Sequence, residues 1–202
     1  MRPTAQSPEE STLRDRCQTP AYALTPLVAD GWLRFDLRKP GTVWDPAAGE
    51  GILARAIESL GRTVVQTDIL TGQNFLTTDP PPNCDGIVTN PPYSLAHKFL
   101  ARCYDLALPF ALLMPITIIG NQRDSKLMSA FGVRILAIRQ RVNFKMPNLG
   151  WSGKGAHFST AWFCWDPALL DLTPDIANMH ATLAWFDVSE ANGLEELLWP
   201  AP

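Results

Sequence analysis

This chain has neither zinc-type cysteine spacing nor a long apolar run. Its four cysteines, Cys17, Cys84, Cys103 and Cys164, never approach a Cys-x-x-Cys pair, so they indicate neither a structural zinc site nor a disulfide framework, and no metal is expected. A reducing, cytoplasmic compartment is the simpler expectation. No stretch supplies the roughly 20 apolar residues that a membrane helix needs, and residues 1–16 are polar rather than signal-like, so no membrane partner is expected. Charge is also scarce. Only 18% of the 202 residues are Asp, Glu, Lys or Arg, and the net charge of −3 by itself argues against a nucleic-acid binder. Its distribution says more than its sum: from Gly155 to the end there is no Lys or Arg at all, whereas residues 121–154 carry Arg123, Lys126, Arg134, Arg139, Arg141, Lys145 and Lys154 against a single Asp124. A local basic surface on an acidic protein is one reading of that run, and a solvated face is the other.

What is present is apolar material, 46% of the chain, enough for one full core and no more than one domain with an appendage. Residues 1–16 read as a flexible lead, 17–165 as the domain, and 166–202 as an acidic extension whose apolar residues pack as short helices on the domain or on a partner. Thr19 before Pro20 has the form of a helix cap with proline in the first turn.

Three strand-to-turn junctions carry the chemistry. Thr42-Val43-Trp44 is a short apolar strand that runs into Asp45-Pro46-Ala47-Ala48-Gly49-Glu50-Gly51, with a helix expected from Ile52 to Leu60. This is the strand, glycine turn and helix that open a nucleotide-type βαβ unit, and with no Gly-Lys-Ser/Thr after the turn a triphosphate P-loop is excluded. Asp45 at the strand end can accept a hydrogen bond from an ammonium group. Residues 63–67 form the second strand and lead to Asp68, placed about twenty residues beyond the glycines, where a carboxylate can accept both hydroxyls of a ribose. Gly72-Gln73-Asn74-Phe75-Leu76 follows. So few residues then remain before Asn90, with Pro80-Pro81-Pro82 among them, that a third βα unit is expected to be cut down or missing.

The third junction is the sharpest. Asp85-Gly86-Ile87-Val88 reads as a buried strand, and Thr89-Asn90-Pro91-Pro92-Tyr93 turns it into a stiff extended corner, because each proline lacks an N–H and pushes its predecessor out of the helical region. In such a corner the Asn90 amide oxygen and a main-chain carbonyl can both accept from one amino group, and the Tyr93 ring can stack on a flat conjugated system. The partner so described is a planar amide or an aromatic amine.

Asn90-Pro91-Pro92-Tyr93 resembles the catalytic motif of S-adenosylmethionine-dependent amino methyltransferases, above all the DNA adenine-N6 enzymes. The Asp45–Gly51 turn resembles their first cofactor motif and Gln18-Thr19-Pro20 their N-terminal motif. Residues 72–76 resemble the motif at the adenine end of the cofactor, with Asn74 where Asp is usual. The resemblance spans residues 17–165. It implies an α/β, Rossmann-like class I methyltransferase fold, a mostly parallel sheet with a terminal antiparallel strand and an abbreviated third βα unit. It implies S-adenosylmethionine as cofactor, held by Thr19, Pro20, Asp45, Pro46, Ala47, Gly49, Gly51, Asp68, Ile69, Asn74, Phe75 and Asn90, with Asn74 accepting from the exocyclic amine. Asn90, Pro91, Pro92 and Tyr93 become the catalytic corner. The partner becomes DNA with a flipped adenine, stacked on Tyr93 and on Phe144, with Lys145 and Lys154 on the nucleic-acid side. With no room for a separate recognition domain, recognition rests on the loop at 148–155, on a partner, or on a second copy in a homodimer. Small solitary enzymes of this kind are phage-like, acting in a bacterial or phage-infected cytoplasm. An RNA adenine, a protein glutamine amide, and a non-catalytic nucleic-acid-binding protein on the same fold stay open as alternatives.

Overall fold

Strands whose consecutive residues are all apolar need cover on both faces, and the fold supplies it. The computed structural model describes residues 13–30, 36–146, 150–151, 156, 158–168 and 181–186. After 3-10 turns at Leu13–Arg16 and Ala21–Leu24 come α1 (Thr25–Asp30), β1 (Thr42–Asp45), α2 (Ile52–Ser59) and β2 (Thr63–Gln66). Then follow β3 (Gly86–Thr89), α3 (Ala96–Leu106), β4 (Phe110–Pro115), α4 (Gln122–Phe131) and β5 (Val133–Ile138). A small β6 (Lys145–Met146) and β7 (Gly150–Trp151) pair with each other, and β8 (Thr160–Trp165) and β9 (Ala181–Phe186) are the last elements among the described residues.

Seven strands form one sheet in the order β2-β1-β3-β4-β8-β5-β9. The first four are parallel neighbours, β8 runs antiparallel to both β4 and β5, and β9 returns to parallel beside β5. Alternation along each strand divides the core in two. Val43, Val64, Val88, Leu113 and Trp162 face the side covered by α1, α2 and the turn before α1. Trp44, Ile87, Leu112, Ile135 and Phe163 face the side covered by α3 and α4. Both layers are cross-linked by buried indoles: Trp162 Nε1 donates to the Ala23 carbonyl at 2.6 Å, and Trp44 Nε1 to Thr67 Oγ1 at 2.8 Å.

The expected loss of a third βα unit is what the sheet has. Between β2 and β3 the chain makes only a 3-10 turn at Ile69–Thr71, and β1 pairs directly with both strands. Three local expectations need correction. Thr19 caps nothing: Pro20 holds the cap position in extended backbone with no side-chain bond. Ser94 sits inside a 3-10 turn, Tyr93–Leu95, where its N–H and hydroxyl are held by Asp15. Leu13–Arg16 is therefore an ordered part of the domain rather than a loose lead. The extension supplies a strand, β9, where short helices were expected, since β5 offers it an open edge.

Candidate active site

The parallel strands β1, β2 and β3 deliver their carboxyl ends to one edge of the sheet, where ligands of open α/β folds gather. Asp45 ends β1, Asp68 follows β2, and Asn90 follows β3. A cleft of about 240 Å³ opens there. Pro46, Ala47, Gly49 and Glu50 of the glycine turn form one wall, and Asp68, Ile69, Asn74 and Phe75 another. Asn90, Pro92 and Phe99 form the third, and residues 15–18 cross over the opening.

The crossing segment was not legible in the sequence beyond Gln18. Gln18 Oε1 accepts from Glu50 N at 2.9 Å, and the Gln18 main chain exchanges two hydrogen bonds with Lys145, at 2.9 and 3.0 Å. Lys145 Nζ in turn reaches Glu50 Oε2 at 2.6 Å. Glycine suits position 49: its φ is +54°, and a Cβ would stand 2.2 Å from Gln18 Nε2 unless that side chain moved. Three residues before Gln18, Asp15 grips the opposite wall, its carboxylate accepting from Ser94 N (3.2 Å) and Ser94 Oγ (2.7 Å).

Within this frame the expected cofactor residues separate. Asp68 lines the cleft, with Oδ2 accepting from Gly49 N at 2.9 Å and Oδ1 from Leu70 N at 2.8 Å. Each oxygen keeps a further lone pair for a ligand hydroxyl. Asp45 is 1% exposed and lies behind the wall, contrary to the expected direct contact. Its Oδ1 accepts from Thr89 Oγ1 at 2.7 Å, tying β1 to β3, while Oδ2 is buried without a partner among the described residues. Burial, reinforced by the nearby Asp68 charge, pushes the Asp45 carboxyl up to about 7. Thr19 and Pro20 are buried and do not line the cleft; Cys17 and Gln18 do so instead. Gly51 sits at the start of α2 with φ +74°, also off the cleft surface.

Asn74 reverses its expected role. Its Oδ1 accepts from Leu76 N at 3.0 Å, so the group left over is the donor Nδ2, buried and unpartnered among the described residues. Phe75 is 2% exposed yet lines the cleft, its ring stacked on Phe99 at 4.6 Å and edge-on to Trp44 at 5.2 Å.

On the prolyl corner, Asn90 lines the cleft while Pro91 and Tyr93 stand beside it. Asn90 Nδ2 donates to the Cys17 carbonyl at 3.4 Å, and Oδ1 is buried without a partner among the described residues. The Pro92 carbonyl is taken by Leu95 N at 2.8 Å, so the main-chain acceptor nearest Asn90 along the corner is that of Pro91. The half-buried Tyr93 ring is met edge-on by Phe144 (6.3 Å) and by Phe158 (5.5 Å). Burial holds the Tyr93 hydroxyl well above its usual pKa, and it too lacks a partner among the described residues.

Phe144, expected on the second face of a base, is 5% exposed and belongs to the core. The exposed ring beside Tyr93 is Phe158, at 37%, which sequence reading missed. Lys145 is paired with Glu50 rather than free, and Lys154 lies outside the described residues. Among the described residues no group of His, Cys, Asp or Glu is placed to hold a metal ion, and no helix is long and apolar enough to cross a membrane.

Buried polar atoms without partners are uncommon and cost about 1–3 kcal/mol each. Three of them, Asp45 Oδ2, Asn74 Nδ2 and Asn90 Oδ1, stand at this sheet edge. At about 240 Å³ the cleft also falls short of the ~300–1,000 Å³ usual for small-molecule sites. An acidic rim, an aromatic wall and unfilled polar atoms suit a nucleoside with a cationic tail.

No protein-family model and no curated protein matches the chain. Solved structures do. One, from Listeria monocytogenes and assigned to the class I S-adenosylmethionine-dependent methyltransferases, aligns at a TM-score of 0.59 with 13% identity, over 95% of this chain and 74% of that one. Another, a Pyrococcus horikoshii protein assigned as an RNA methyltransferase, aligns at 0.51 with 14% identity, over 80% of this chain and 91% of that one. At such identities the likeness is one of architecture: the chain has the class I methyltransferase fold.

Proposed function

We propose that the chain transfers a methyl group from S-adenosylmethionine to the exocyclic N6 of adenine in DNA. The observation that supports this most directly is the Asn90 amide oxygen, buried, unpartnered and placed beside the cleft on the corner after β3. Bound S-adenosylmethionine supplies an electrophilic sulfonium methyl. Asp68 accepts the ribose hydroxyls, the glycine turn leaves room for the amino-acid end, and Phe75 lies along the nucleobase. The target nitrogen is a poor nucleophile because its lone pair is delocalised into the ring. Asn90 Oδ1 and the Pro91 carbonyl would accept hydrogen bonds from its two N–H groups, draw it toward a tetrahedral geometry and localise the pair toward the donor; the N–CH3 bond would form as the S–CH3 bond breaks to leave S-adenosylhomocysteine, and the nitrogen would then release one proton to water. Positioning and preorganised acceptors carry the rate.

Asn90 accepts through Oδ1, so its Nδ2 can keep donating to the Cys17 carbonyl and hold the amide in that orientation. A base extruded from a duplex then meets Tyr93. The exposed cations Arg123 and Lys126 on α4 are assigned to the phosphate backbone.

Tritiated methyl transfer to DNA tests this reading. Label is expected in N6-methyladenine, with Asn90→Ala lowering transfer by about 10²-fold or more while S-adenosylhomocysteine still binds. Label confined to RNA or to protein glutamine replaces the substrate and keeps the corner. Binding without any transfer leaves a non-catalytic binder.

A further inference from the structure

Asn74 sits in a turn that leaves its amide no freedom. Its main-chain carbonyl accepts from Thr77 N at 3.0 Å and from Thr78 N at 2.8 Å, and its Oδ1 accepts from Leu76 N at 3.0 Å. Turning the amide over would set an NH2 group against the Leu76 N–H and lose that bond, so the side of the amide left for other partners is a donor. That donor, Nδ2, is shut off from water and has no partner among the described residues. The residue lines the cleft at its aromatic end, beside Phe75 and Phe99, whose stacked rings form an apolar wall for a flat heterocycle.

An unfilled donor at the edge of such a wall discriminates between ligand edges. An amino group brought to it would oppose two donors and leave both unsatisfied, whereas a ring nitrogen or carbonyl oxygen completes the bond. We propose that Asn74 reads the bound purine through Nδ2, donating to a ring-nitrogen acceptor, so that the exocyclic amine points elsewhere. This rests on the proposed use of the cleft for an adenosyl cofactor and assigns the orientation of its base.

The test is calorimetric binding of S-adenosylhomocysteine and its 1-deaza, 3-deaza and 7-deaza forms, each lacking one ring acceptor, to the wild-type chain, Asn74→Asp and Asn74→Ala. Asn74→Asp keeps an acceptor for Leu76 N, and its melting temperature without ligand reports that the turn is intact. The expected result is that one deaza form binds the wild type about tenfold more weakly, corresponding to about 1.4 kcal/mol. That loss should vanish in Asn74→Ala, and Asn74→Asp should weaken the parent ligand by a similar factor. Tighter binding by Asn74→Asp, or deaza losses that ignore position 74, overturns the orientation alone. Failure of the wild type to bind any of the four ligands overturns the cofactor reading beneath it.

Discussion

Lys145 Nζ stands 2.6 Å from Glu50 Oε2, so the strand that leads out of the core after Phe144 is tied to the glycine turn of the cleft. Both side chains are partly in water, 33% and 53% exposed. A pair of that kind contributes about 0.2–1 kcal/mol. Lys145→Ala is therefore expected to lower stability by no more than about 1 kcal/mol in denaturant unfolding. If Lys145 also meets a phosphate, the slope of log affinity for DNA against log salt falls by about 1. An unchanged slope confines Lys145 to holding Glu50.

Asp45 gives the fold a pH dependence with a definite sign. Its carboxyl titrates near 3.8 when exposed and near 7 in the fold. Between those values the folded chain holds a proton that the unfolded chain has released. The group's contribution is thus full below about pH 4, is lost as pH rises toward 7, and remains a penalty above it. Asn mimics the protonated acid. Asp45→Asn is expected to gain on the wild type by an order-of-magnitude 1–4 kcal/mol between pH 5 and pH 8. Parallel melting curves for the two proteins across that range would show that Asp45 is ionised without cost.

Much of the architecture could be read from local pattern. Gly86-Ile87-Val88-Thr89 has no polar face to put toward water, so it had to be central, and the glycine turn and prolyl corner mark where strands end by backbone geometry alone. What was missed depends on pairing across the fold. Nothing near Asp15 announces that it will hold Ser94, 79 positions away. Residues 181–186 carry no local signal that distinguishes a strand on the edge of β5 from a short amphipathic helix. The side chain of Phe144 is apolar whether it faces a base or the core, and only the three-dimensional packing decides. Asn74 lines the cleft, but which end of its amide stays open could not be read locally, because the bond that orients it comes from a turn two residues on.

Gly49 and Gln18 are expected to be coupled. An alanine Cβ at position 49 collides with Gln18 Nε2 and forces a left-handed backbone on a residue that resists it. Gly49→Ala should cost about 1 kcal/mol or more from backbone alone. The collision is with the end of a flexible side chain, so part of the further loss comes from pulling Gln18 off Glu50 N. In Gln18→Ala that bond is already gone. The double variant is therefore expected to lose less than the sum of the singles by about 0.5 kcal/mol or more, measured by denaturant unfolding. Strict additivity would mean that Gln18 does not support the turn.

Phe144 and Phe158 touch the same tyrosine from different environments, and their variants should part company. Phe144 is core, so Phe144→Ala is expected to destabilise the chain by about 3–5 kcal/mol, and any loss of activity in it reports unfolding. Phe158 is more than a third exposed, and its removal should cost less than about 1 kcal/mol. If the flat target group stacks beside Tyr93, the ring open to it is Phe158. Phe158→Ala should then raise KM for DNA about tenfold, within the ~1–3 kcal/mol that one base stacked on an aromatic contributes, while S-adenosylhomocysteine affinity stays put. The KM and cofactor-affinity readouts together separate this from a general loosening of the corner, which would weaken both. A KM unchanged in Phe158→Ala removes that ring from the substrate path and leaves Tyr93 as the sole described aromatic there.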